Sequence, residues 1–389
     1  MKFNYCQTTE LVFGRGRTAE LGQIAKRFGT KTLLVTVKEF PAVRKQYAQV
    51  KKILAKAGVK VTHYDGVVPN PTVASIDAGA KLARACGAQS VIGLGGGSSM
   101  DSAKAIAVAA THPGSCWDYL FYKKAPTTKT LPIIAVTTTS GTGSQVTQVA
   151  VITNPKTRDK SAIYHPNVFP KVAVVDPELM VTVPRKITAA TGFDVFCHAF
   201  ESAIHPNTSP MTNMMAWEAI SLVVKWLPKV LADGTNLDAR EAMALADTLG
   251  GYSIAAAGVT LPHGMGMAIG GMYPHVAHGE ALAIVYPAFV RYTWRNAVPQ
   301  FARLARILNP ALVRANDRVA AARCEELVTA FLKKIGMRLS LEGMNVPAAE
   351  LPALARQCMV LPDYKGNPRV TTPADMTKLV KESYSVRRK

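Results

Sequence analysis

The chain is 389 residues long and 48% hydrophobic, and its 46 Lys and Arg against 26 Asp and Glu leave a formal net charge of +20. That length exceeds one ordinary core and predicts two domains. No run of about 18 apolar residues occurs, which excludes a membrane-spanning helix, and six scattered cysteines without a CxxC pair exclude a disulfide framework or zinc finger. The opening MKFNYCQTTELVFG lacks a basic segment followed by an apolar one, so no secretory signal is expected and the protein is assigned to the reducing cytoplasm. The positive charge would attract polyanions and anionic metabolites. The basic residues are nevertheless spread throughout, with no Lys/Arg block or aromatic interleaving, so neither nucleic acid nor membrane is an expected partner.

In chain order, KTLLVTV (31–37) predicts a strand, 41–57 a helix, VKVTHYDG (59–66) a second strand and 72–86 a helix. SVIGLGG (90–96) and LPIIAVTTTS (131–140) predict two more strands. This alternation argues for βαβ units on a largely parallel sheet. After VAVVDPELM (172–180) strand signals fade, and helical patterns follow at 210–232, 237–257, 280–307, 316–335 and 372–385. The expected fold class is α/β, with a parallel-sheet domain over 1–183 and an all-helical domain over 184–389.

Two loops follow strands. Gly93-Leu94-Gly95-Gly96-Gly97-Ser98-Ser99-Met100-Asp101 opens a helix, and its glycines would let backbone N–H groups approach phosphate oxygens. It is neither a GxGxxG fingerprint nor a P-loop. Thr137-Thr138-Thr139-Ser140-Gly141-Thr142-Gly143-Ser144 offers six hydroxyls as small neutral donors. In open α/β sheets ligands bind beyond the strand carboxyl ends, where both loops would lie.

Asp194 and His198 stand at i and i+4 and would share one helix face. His263, His275 and His278 fall among glycines in 261–287, so half of the eight histidines occupy these two segments. One carboxylate with imidazoles from this set suits Fe²⁺ or Zn²⁺. Composition alone leaves His275 and His278 as alternatives for the last position.

These motifs resemble the iron-containing (group III) alcohol dehydrogenases along nearly the whole chain: LVFG, Pro69-Asn70-Pro71-Thr72, GLGGGSSMDSAK (93–104), TTTSGTGSQVT (137–147), Lys160, VVDPEL (174–179), TGFDVFCHAFES (191–202), the 263–287 segment and Asn367-Pro368-Arg369. The resemblance implies a Rossmann-like domain, a helical domain and a site in the cleft. It implies a metal held by Asp194, His198, His263 and, since His278-Gly279 with Ala283-Ile284 and Pro287 fits the family frame, His278 rather than His275. Gly95, Gly96, Gly97 and Ser98 would hold the pyrophosphate of NAD or NADP. Thr137, Thr138, Thr142 and Ser144 would contact phosphate, ribose or nicotinamide, with Asn70, Asp101 and Lys160 as further cofactor contacts. The implied reaction is reversible hydride transfer between NAD(P) and a small alcohol and its aldehyde or ketone, in a homodimer or larger homo-oligomer. Val149, Ile254 and Met267 are apolar candidates for the substrate side.

Three positions depart from the family pattern. Met267 replaces a second histidine linked to proton transfer, and His275 is the candidate catalytic substitute. Gln145 replaces a glutamate. Val37, followed by Lys38, replaces an aspartate that accepts from the ribose hydroxyls, which opens the site to NADP. The rival readings are a polyol dehydrogenase, a metal- and NAD-using cyclase resembling dehydroquinate synthase, and a basic nucleic-acid-binding protein on a dehydrogenase fold.

Overall fold

A computed structural model describes residues 2–120 and 123–386. The chain divides into two compact units: one comprises Cys6–Pro184 and Gly234–Ala244, the other Met1–Tyr5, Arg185–Asp233 and Leu245–Lys389. The stretch Gly234–Ala244, which the sequence patterns assign to the helical half, thus groups with the sheet.

In the first unit, β1 (Glu10–Phe13), β2 (Lys31–Val37), β3 (Lys60–Val67), β4 (Ser90–Gly95), β5 (Ile133–Thr137) and β8 (Val172–Val175) form one sheet in the order β1-β8-β5-β4-β2-β3. Every pairing in it is parallel. Helices α1 (Leu21–Lys26), α2 (Pro41–Lys56), α3 (Val73–Ala85) and α4 (Gly97–Ala109) connect the strands. The two-residue period of a strand splits its side chains between two cores. Leu33, Val35, Val91 and Ile133 join Ile76, Ala80 and Ile106 on one face. Leu34, Ile92, Leu94, Ile134 and Val136 join Leu21, Tyr47 and Leu54 on the other. Burial on both faces explains why these strands read as continuous apolar runs. Strands β6 (Val149–Asn154) and β7 (Asp159–Tyr164) form a separate antiparallel pair.

The helical patterns are broken more often than the sequence suggests. Helices α5 (Arg185–Ile204), α6 (Pro210–Ala232), α7 (Leu237–Ala257) and α8 (Leu261–Met272) are followed by α9 (His278–Thr293) and α10 (Val298–Leu308). The expected 280–307 helix therefore splits near Pro299, a residue suited to opening a new helix. Likewise 316–335 divides into α11 (Asp317–Ala322) and α12 (Cys324–Lys334), before α13 (Leu351–Gln357) and α14 (Pro373–Glu382). Helix α5 is buried almost all round from Thr188 onward, which marks it as the central helix of its unit. Among the described residues, no helix is long and apolar enough to cross a membrane.

Candidate metal centre and cofactor loops

Asp194, His198 and Glu201 lie at i, i+4 and i+7 of α5 and form one stripe. Asp194 Oδ1 stands 3.5 Å from His198 Nε2, 3.5 Å from His263 Nε2 and 3.8 Å from His278 Nε2. Ligand atoms sharing one ion at bond lengths of about 2.0–2.2 Å in a tetrahedron lie roughly 3.3–3.6 Å apart, so the set has the dimensions of a cation site. Asp194, His263 and His278 each offer an atom within 4.8 Å of the others. The rings of His198 and His263 stack at 4.6 Å, and His278 meets His263 edge-on at 5.3 Å. Asp194 Oδ1 and His263 Nε2 are buried without a hydrogen-bond partner. Such atoms are costly unless something satisfies them, and a divalent cation fits both.

Burial opposes a charge on Asp194, but His198, His278 and His263 outweigh it and hold the carboxyl below the usual carboxylate range. Burial also opposes a charge on His263, yet Glu201 and Asp194 push its pKa up to about 10. A cation that takes Nε2 must therefore displace a proton.

Glycines let the helices of this cluster approach one another. A side chain at Gly279, beside His278, would lie 2.0 Å from the Ala190 carbonyl oxygen, so only glycine lets α9 approach α5 this closely. A side chain at Gly266 in α8 would meet the His278 ring at 3.4 Å.

His275 stands outside this cluster. Its side chain is exposed, and Nε2 lies 2.8 Å from the Met344 carbonyl oxygen. Met267, one turn after His263, is buried. Two acidic residues beside the cluster carry no role in the sequence reading. Glu201 Oε1 lies 2.8 Å from His263 Nδ1; its i+7 spacing from Asp194 was the available signal. Asp363 lies against Gly264. Burial pushes its carboxyl up to about 6, with His263 opposing and Glu201 adding to the rise. Nothing in the local sequence links Asp363 to the histidines.

The glycine and hydroxyl loops are neighbours by register, since Gly95 pairs with Thr137 and Thr138 N donates to the Gly95 carbonyl at 3.0 Å. Gly95 has φ +149°, in the region that favours glycine. A side chain on Gly97 would lie 2.5 Å from Thr142 Cγ2, so the second loop packs onto the first. Helix α4 begins without a side-chain cap, which leaves its first amides to an outside acceptor.

Ser98, Thr138 and Thr142 are partly exposed, whereas Thr137 is buried and donates to the Thr139 carbonyl at 2.8 Å. Ser144 and Asp101, expected at the cofactor, sit in a buried network. Ser144 Oγ donates to Asp101 Oδ1 at 2.6 Å, and Lys104 Nζ donates to Ser144 Oγ, the Thr147 carbonyl and the Val149 carbonyl at 2.7–2.9 Å. Burial lowers the Lys104 pKa to about 8, with Asp101 opposing. Lys160 Nζ donates to Asn70 Oδ1 at 2.9 Å. Val37 ends β2, followed by exposed Lys38 and by Glu39, which pairs with Arg44 at 3.0 Å.

Comparison with known proteins agrees with this chemistry. The family description "Iron-containing alcohol dehydrogenase" matches residues 8–177, and its C-terminal domain description matches 188–384. The chain is 31% identical to the NAD-dependent methanol dehydrogenase of Bacillus methanolicus, covering 96% of this chain and 97% of the relative. It is 32% identical to the 1,3-propanediol dehydrogenase of Klebsiella pneumoniae, over 98% and 99% of the two chains. The crystal structure of an archaeal alcohol dehydrogenase from a Red Sea brine pool superposes with a TM-score of 0.94 at 33% identity, over 98% of this chain and 100% of that one. Matched by the family description along most of its length, the chain belongs to the iron-containing alcohol dehydrogenases and is a nicotinamide-dependent oxidoreductase of alcohols.

Proposed function

We propose that the protein interconverts a small, largely apolar alcohol with its aldehyde or ketone, using a divalent ion, iron by family, held by Asp194, His198, His263 and His278. The observation that carries this reading is the convergence of three imidazole Nε2 atoms on one buried carboxylate oxygen at 3.5–3.8 Å. Bound there, the ion supplies Lewis acidity towards the alcohol or carbonyl oxygen, and the nicotinamide supplies hydride exchange. The amides around Gly95–Ser98 and the hydroxyls of Thr138 and Thr142 take the cofactor phosphates and ribose. Asp101 and Ser144 act indirectly, by holding the second loop against α4 through Lys104. His275 receives no catalytic role. Met267, apolar and buried, offers no proton-exchanging group one turn after His263.

Val37 carries no charge to repel a 2′-phosphate, and Glu39 is already engaged by Arg44, so both NAD and NADP are accepted. The relatives' names, methanol and 1,3-propanediol dehydrogenase, support a small alcohol, and a homodimer or larger oligomer is proposed on the family resemblance alone. The test is steady-state turnover of short alcohols, diols and aldehydes with each cofactor separately. Net oxidation or reduction of cofactor is expected with both. A cyclase would show none, because it returns its cofactor unchanged.

A further inference from the structure

Glu201 is fully buried at 0% exposure, and a buried carboxylate is costly unless its lone pairs are met. Its two oxygens serve separate partners. Oε2 accepts the Thr260 backbone N–H at 2.8 Å and the Thr260 hydroxyl at 3.3 Å. Oε1 faces His263 Nδ1 at 2.8 Å. Thr260 immediately precedes α8, and His263 is the third residue of that helix. Glu201 itself lies one turn past His198 and two turns past Asp194 on α5. One carboxylate therefore ties the first turn of α8 to the helix that carries two of the four ligands. With Nδ1–H donated to Glu201, His263 is left with Nε2, the atom 3.5 Å from Asp194 Oδ1 that has no hydrogen-bond partner, as the nitrogen a cation takes once its proton is displaced.

We propose that Glu201 is a positioning residue for the metal centre: it fixes the tautomer and orientation of His263 and thereby sets how tightly the cluster holds a divalent cation. The inference rests on the metal-site reading above. An anionic acceptor on the far nitrogen strengthens the ligating one and stops the ring from turning. The Thr260 donors occupy Oε2, which leaves Oε1 to the imidazole. Glutamine keeps the size but loses the charge, and its NH₂ group meets either the Thr260 donors or the Nδ1–H.

The test measures Co²⁺ and Zn²⁺ binding to the metal-stripped chain by competition with a chromophoric chelator, with melting of the metal-free protein as the check on folding. Glu201→Gln is expected to bind roughly 10- to 100-fold more weakly than the parent and to shift the visible bands of the Co²⁺ form. In a His263→Ala background the same change is expected to cause no further loss, because Glu201 acts through that ring. Parental affinity in a folded Glu201→Gln chain overturns the inference, as does an equal loss in both backgrounds. If the metal-free variant does not fold, the rate at which a chelator strips Co²⁺ from the loaded variant decides: faster release supports the role and parental release overturns it. A parent chain that binds neither cation overturns the metal-site reading itself, a result distinct from parental affinity in the variant.

Discussion

Single side chains at the centre act through charge more than through packing. Asp194 gathers three imidazoles around one oxygen, and Asp363, packed against Gly264 and less buried, shows what burial does to an acid with weaker compensation. Burial raises the Asp363 carboxyl to about 6. The folded chain thus resists ionising it, and the penalty is complete above about pH 6 and absent below about pH 4. Asp363→Asn should therefore stabilise the metal-free protein at pH 7.5 by about 1–3 kcal/mol, taking 1.36 kcal/mol per pKa unit and discounting for partial exposure. The gain should vanish at pH 4. Denaturant unfolding at the two pH values checks this, and an equal effect at both would show that ionisation is not the cause. The residues proposed as ligands stand out in the sequence because Asp194 and His198 have helical spacing and His263 and His278 sit in a glycine-rich frame. His275 shows the limit: composition places it beside His278, but only the fold shows its ring at the surface against Met344.

At the level of elements, the sheet was easier to read than the helices. Strands buried on both faces leave unbroken apolar runs, so β2, β4 and β5 were visible. The four-residue β1 and the β6–β7 pair were not, since they are short or only partly apolar. Helix α8 carries His263 yet contains Gly264, Gly266, Gly270 and Gly271, each a poor helix former. Its helical state comes from tertiary packing, which propensity does not report. The same close packing makes Gly279→Ala informative. The added methyl group would meet the Ala190 carbonyl oxygen at 2.0 Å, so α9 must retreat from α5 and take His278 with it. The expected result is a loss of about 1–3 kcal/mol or more of stability together with reduced metal content after purification. Parental melting temperature and metal content would show that α9 is not held by this contact.

For the whole molecule, two family descriptions together account for most of the chain, and the +20 charge is compatible with binding an anionic dinucleotide. Catalysis is proposed to depend on a cation held by Asp194, His198, His263 and His278. The most direct test purifies the parent chain and His263→Ala side by side, then measures bound metal and alcohol turnover with NAD. The parent should carry about one divalent ion per chain, by the four-ligand stoichiometry of such sites, and turn over short alcohols. His263→Ala, still folded by its melting curve, should lose both metal and turnover; parental turnover in a metal-free His263→Ala chain would contradict a metal-dependent reaction.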